Sequence, residues 1–177
     1  MPTLAEIREG VFAVFLNVPF HRHLGIVFDT AAPAGAARVS IPPKPEIVGP
    51  DGQHSVATVF ALGEIASSVE VCEAIAPRAL DLGLGAVLFT LGAGFRPRGP
   101  ARGVLTASVD LLNRLDEAVG GENEPKKGTI KTSVKVFGED GELAGEHRLS
   151  FYVRFMEWSR VQEMAPAYME IIRVLES

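Results

Sequence analysis

Gly52-Gln53-His54-Ser55-Val56-Ala57-Thr58-Val59-Phe60-Ala61-Leu62-Gly63-Glu64-Ile65-Ala66-Ser67-Ser68 is the stretch that decides the fold. Its apolar residues run almost all round a helix, and Glu64 is the one residue from Ser55 to Val69 that carries a full charge. A helix apolar on every side belongs in the middle of a domain. An ionised carboxylate there is costly unless it is paired, hydrogen-bonded or kept neutral. Glu64 is therefore either a functional acid or a glutamate whose head escapes to the helix rim or to a neighbouring chain.

Working outward, this central helix is expected from about Ser55 to Ile75, ending before Pro77 because proline disfavours helical geometry in the residue before it. Upstream, Leu4, Ile7, Val11, Val14 and Phe15 recur at three- and four-residue spacing, which predicts an amphipathic helix ending near Asn17-Val18-Pro19. Two short strands, Leu24 to Thr30 and Ala36 to Ile41, flank the turn-rich Ala31-Ala32-Pro33-Ala34-Gly35 as a hairpin. Downstream, four strands are expected at Ala86 to Phe95, Gly103 to Leu112, Thr129 to Phe137 and Leu143 to Phe155. The last two join through Gly138-Glu139-Asp140-Gly141. In the final strand Leu149, Phe151, Val153 and Phe155 alternate with Arg148, Ser150, Tyr152 and Arg154, which marks one buried and one wetter face. The glycine-containing, charged segment Asn113 to Gly128 reads as a surface loop. A closing helix from Trp158 carries Val161, Met164, Tyr168, Ile171, Ile172 and Leu175, bent at Pro166.

The 177 residues, 47% hydrophobic and 22% charged, suit a single domain spanning residues 1–177 with a substantial core. A net charge of −5 counts against nucleic-acid or anionic-membrane partners. Cys72 is the only cysteine, so no intrachain disulfide forms, and its apolar neighbours suggest an inert core thiol in a reducing compartment. The N-terminus lacks the basic-then-apolar order of a signal peptide, and no apolar run is long enough to cross a bilayer. A cytoplasmic protein with no membrane partner is the expectation. The histidines lack metal-ligand spacing, so no metal site is expected.

The order of elements, a sheet wrapping one apolar helix, resembles the hot-dog fold. Three stretches resemble acyl-CoA thioesterases of the phenylacetic-acid-degradation type. They are Gln53 to Glu64 at the start of the central helix, Gly94-Phe95-Arg96-Pro97-Arg98-Gly99-Pro100-Ala101-Arg102-Gly103-Val104-Leu105-Thr106-Ala107, and the hairpin Val136 to Ala144. The resemblance covers about Leu24 to Phe155. It implies an α+β hot-dog fold, an antiparallel sheet of about six strands around a central helix, with N- and C-terminal helices added. It also implies hydrolysis of an acyl-CoA or related acyl thioester to acid and thiol in a homodimer or homotetramer. No cofactor is implied beyond coenzyme A as part of the substrate.

In that family a carboxylate on the central helix acts as nucleophile or as base for water, and the matching residue is Glu64. Ser68, one turn on and on the same face, matches a hydroxyl that helps place the water or the carboxylate. Thioester hydrolysis also needs donors aimed at the developing oxyanion, and a helix N-terminus supplies free N–H groups there. Ser55, Val56 and Ala57 are placed to do this, with Val56 N–H the principal donor. The sequence departs from the family's His-Gly-Gly at these three positions. His54 lies one residue early, either orienting the ligand or simply capping the helix mouth and meeting water. Gln53 joins the substrate-binding group with Ala57.

Arg96, Arg98 and Arg102 form a basic cluster suited to the phosphates of coenzyme A, which guanidinium groups bind with two bonds at once. Lys126 and Lys127 form a second cluster near the loop. Each residue also reads as ordinary surface charge. Two rival functions stay open: a non-catalytic acyl-thioester or fatty-acyl binding protein, and an acyl-thioester hydratase or dehydratase. For the latter, His21 and His23 are the available histidines, but Pro19-Phe20-His21-Arg22-His23-Leu24-Gly25 does not place either one directly before the acid-bearing helix.

Overall fold

The computed structural model describes residues 3–29, 31–32, 39–113 and 127–163. Helix α1, Leu4–Asn17, begins at a capping box. The Thr3 hydroxyl accepts from the Glu6 N–H, and the Glu6 carboxylate accepts from the Thr3 N–H at 2.7 Å. Its inward face carries Phe12, with Val11 and Phe15 partly buried beside it. Val14, expected on that face, is 60% exposed.

A short helix, α2, Pro19–Leu24, occupies the stretch before the expected strand and takes its first residue, Leu24. Proline is favoured at a first helical position, and Gly25, at φ 69°, supplies the left-handed stop. The first strand starts later than expected, as β1, Val27–Phe28; the second is described as β2, Val39–Ile41, the expected residues 36–38 lying outside the described residues.

The central helix α3, Val56–Leu82, is capped by Ser55, whose hydroxyl accepts from the Thr58 N–H at 3.1 Å. It runs past Pro77 and stops at Gly83, φ 64°. This corrects the expected end at Ile75. A mid-helix proline costs about 3 kcal/mol through its missing N–H and a clash with the carbonyl four residues earlier. Here Pro77 faces solvent while Ile75, Ala76 and Ala79 are buried around it, and that burial offsets the cost.

Four long strands complete the sheet: β3, Gly85–Pro97; β4, Leu105–Leu111; β5, Lys127–Phe137; and β6, Leu143–Met156. The order is β1-β2-β4-β5-β6-β3, antiparallel throughout. Leu105, Ala107, Ile130, Val134, Leu149, Phe151 and Val153 cover the inner face against α3. A buried hydrogen bond of 2.8 Å between the Ser67 and Thr132 hydroxyls ties helix to sheet. The β6 alternation is as read, with Arg148 and Arg154 exposed.

Among the described residues β3 is the far edge and pairs with β6 alone, and a bulge at Leu91 interrupts its register between Thr90 and Gly92. Residues 158–163 are helical and lay Trp158 and Val161 against Gly85. The rest of the expected closing helix, including Met164, Pro166, Tyr168, Ile171, Ile172 and Leu175, lies outside the described residues, as does Lys126. Lys127 opens β5 rather than belonging to a loop. No described helix is long and apolar enough to cross a membrane.

Candidate functional site

Glu64 lies two turns into α3 and is half-buried. The Thr90 hydroxyl on β3 donates to its Oε1 at 3.4 Å, and among the described residues no lysine or arginine forms an ion pair with it. Among the described residues the carboxylate is therefore held by a neutral donor. Thr90 owes its aim to the bulge, since an extra residue in an edge strand re-aims the neighbouring side chain. Nothing in the local sequence marked Thr90, because the pairing it depends on is with β6, some sixty positions away.

Ser68 sits one turn beyond Glu64 and is 8% exposed. Behind Glu64, Gly63 faces His147 of β6, whose ring packs on Phe95 at 4.6 Å and Phe60 at 5.6 Å. Neither ring nitrogen of His147 has a hydrogen-bond partner among the described residues. Burial pulls its pKa down to about 4, so the ring is neutral at physiological pH.

The start of α3 forms a second cluster. The Ser55 N–H points to the Ile47 carbonyl at 3.4 Å, and the Thr58 N–H is taken by the Ser55 hydroxyl. Among the described residues that leaves Val56 and Ala57 as the first-turn amides without an acceptor, at the positive end of the helix. The Val56 side chain is 61% exposed. Beside them lies a cleft of about 360 Å³ lined by Phe20, His23, Leu24, Glu46, Ala57 and Thr58.

His54 does not meet water at the helix mouth, as one of its two sequence readings had it. It is 5% exposed, and its Nε2 donates to the Gly103 carbonyl at 2.8 Å. It thus anchors the loop before β4 to the mouth of α3. Gln53 bridges to Arg102 through the backbone, and its side-chain amide donates to Asp51 at 2.9 Å. Of the three arginines, Arg98 is engaged with Glu146, its Nε donating at 2.7 Å, and this pair holds the Glu146 carboxyl below its usual range. Arg96 and Arg102 are exposed. Cys72 matches the inert thiol expected, its packing pushing the pKa up to about 12. Among the described residues no group of His, Cys, Asp and Glu is placed to hold a metal ion.

His21, set aside in the sequence reading because of its flanks, is held against α1, its Nδ1 donating to the Phe15 carbonyl at 2.8 Å. Burial lowers its pKa, and the Glu64 charge works against that lowering.

No protein-family model and no curated protein matches the sequence. Solved structures match the fold. A Pseudomonas aeruginosa thioesterase, solved as a point mutant, superposes with a TM-score of 0.61 at 18% identity, covering 88% of this chain and 96% of that one. A mutant thioesterase enzyme from Staphylococcus aureus gives 0.57 at 17%, covering 76% and 98%. The Escherichia coli PaaI protein from the phenylacetic acid degradation operon gives 0.58 at 12%, covering 84% and 94%. The chain has the hot-dog fold of thioesterase-superfamily proteins, a curled six-stranded antiparallel sheet around one long helix.

Proposed function

We propose that this protein hydrolyses an acyl-CoA or related acyl thioester to a carboxylic acid and a thiol, with Glu64 as base or nucleophile. The observation that carries this reading is the state of Glu64: half-buried on the central helix, fixed by Thr90 and lacking an ion-pair partner among the described residues. On a helix that is otherwise apolar, a carboxylate held only by a neutral donor keeps lone pairs for a proton. Ser68 assists one turn on, and the Val56 N–H receives the oxyanion.

Val56 and Glu64 are eight residues apart, about 12 Å along the helix axis, so one chain's donor and acid do not converge on a single carbonyl. The reading therefore includes a second copy, with the donor of one chain facing the acid of the other. Supporting this, the 13-residue β3 has no second strand partner among the described residues, and beside Glu64's partner Thr90 it leaves Phe89 40% and Leu91 60% exposed. Arg96 and Arg102 remain available for phosphates of coenzyme A at the sheet end and the α3 mouth.

The experiment is a panel of acyl-CoA thioesters of graded chain length offered to purified protein, with free thiol measured. Thiol release supports the reading. Tight binding with no thiol released makes the protein a binding module, and loss of enoyl-CoA absorbance makes it a hydratase.

A further inference from the structure

The outer face of the sheet, turned away from α3, carries a charge pattern that the chemistry above does not use. Along β5 its residues are Lys127, Thr129, Lys131, Ser133 and Lys135; along β6 they are Glu146, Arg148, Ser150, Tyr152 and Arg154, with every lysine and arginine exposed. The chain's net charge of −5 thus hides a local excess of the opposite sign. Glu146 offsets one end of this face, accepting from Arg98 and standing across the strands from Lys135 and Arg96. Toward the other end Lys127 stands directly opposite Arg154, a like-charge pair that weakens a sheet. Among the described residues Lys127, Lys131, Arg148 and Arg154 have no ion-pair partner.

Between these cations Tyr152 pairs with Phe89 of β3, which is 40% exposed, and β3 then sets Gly92 across from Ser150 and Gly94 across from Arg148. Neither glycine has a left-handed backbone. A Cβ on Gly92 would meet nothing within 4 Å, and one on Gly94 only the Arg148 carbonyl oxygen at 3.9 Å. Packing within the described residues therefore does not call for glycine at either position, and glycine inside a strand is one way a sheet admits another molecule's close approach. The Thr129, Ser133 and Ser150 hydroxyls, set among the cations, make no hydrogen bond within the described residues.

Unpaired cations along the strands, an aromatic pair and a floor bare of side chains are the parts with which an exposed sheet holds a single nucleic-acid strand. Cations take the phosphates and aromatic faces take the bases. We propose that this face binds single-stranded RNA, with phosphates on Lys127, Lys131, Arg148 and Arg154, bases on Tyr152 and Phe89, and ribose 2′-hydroxyls on the serine and threonine hydroxyls between them. The cations run from the Lys127–Arg154 row to the Ser133–Arg148 row, about 20 Å along the strands, which spans several nucleotides. Because the sheet curls round α3 this face is convex, and a flat anionic bilayer would meet only part of it. The proposal stands apart from the hydrolase reading.

The test is fluorescence anisotropy of a labelled oligouridylate of about twelve nucleotides titrated with the purified full chain over a range of salt. Binding that weakens as salt rises is expected. In the double variant Lys131→Glu, Arg148→Glu, which changes two exposed side chains, affinity should fall about tenfold or more and the salt slope by about two. Tyr152→Ala should weaken binding about tenfold with the slope kept, and Tyr152→Phe should bind as the wild type does. If Tyr152→Ala does not fold, Phe89→Ala takes its place with the same expectation. A wild type that binds no RNA overturns the proposal, and so does unchanged affinity in the folded double variant. Equal affinity for the matching oligodeoxyuridylate overturns the assignment to RNA. Stronger binding of polyglutamate, or of phosphatidylglycerol vesicles, overturns it in favour of an acidic protein or a lipid surface.

Discussion

Gly63 and His147 are packed so closely that a Cβ on Gly63 would lie 2.6 Å from both Cδ2 and Nε2 of the imidazole. The residue immediately before the candidate acid is therefore where α3 seats against β6. Glycine is required there by contact and not by backbone conformation, since the position is ordinary helix.

Gly63→Ala should consequently destabilise the fold. Overpacking costs about 1–3 kcal/mol, and alanine's better helix propensity returns at most about 1 kcal/mol of it. Denaturant unfolding is expected to show a net loss, and pairing the change with His147→Ala should remove most of the clash. A Gly63→Ala protein as stable as the wild type would show that the helix does not depend on this contact.

His147 also gives stability a pH dependence. Its folded pKa of about 4 lies below the unfolded value near 6.5, so the unfolded chain takes up the proton first as pH falls. The contribution is complete above pH 6.5 and is lost progressively down to pH 4, amounting to about 2–3 kcal/mol. His147→Leu should flatten this part of the profile. Because neither ring nitrogen has a partner among the described residues, the substitution sacrifices no hydrogen bond seen there. An identical acid slope in both proteins would assign the effect to carboxylates elsewhere.

Much of this arrangement was legible in the sequence because its signals are local. The apolar run around Glu64 defined the central helix, and the alternation from Leu149 to Phe155 defined β6. Pro77 misled because the burial of Ile75 and Ala79 that outweighs it depends on the sheet. Thr90 beside Glu64 and His147 against Gly63 were not legible, since strand pairings between distant positions bring them to α3. Ser55 was read as a possible donor, yet its N–H turns to Ile47 and its hydroxyl serves as the cap.

The backbone-donor role of Val56 has an unusually clean test. Val56 is the first residue of α3, where proline fits, and Ser55 has the extended geometry, φ −63° and ψ 154°, that a following proline demands. Val56→Pro should thus keep the helix and delete only the N–H, lowering kcat by about 10²–10³-fold. Val56→Gly, which keeps the N–H, should retain activity. The opposite pattern, with the proline variant active and the glycine variant dead, would place the requirement in the side chain.

The β3 edge makes a prediction about assembly. Leu91→Glu puts a charge on the exposed bulge beside Thr90 and should yield the mass of one chain in light scattering, with thioester hydrolysis lost along with the partner's donor. A wild-type protein already monomeric at working concentrations, yet active, would contradict the two-chain site.

The most direct measurement is turnover by Glu64→Gln on whichever acyl-CoA the wild type hydrolyses, with binding of the same acyl-CoA measured beside it. The amide keeps the shape of the side chain and cannot serve as base or nucleophile. Turnover is expected to fall by about a hundredfold or more while the fold and acyl-CoA binding persist. A folded Glu64→Gln protein that retains most of the wild-type turnover would remove Glu64 from the chemistry and contradict the account.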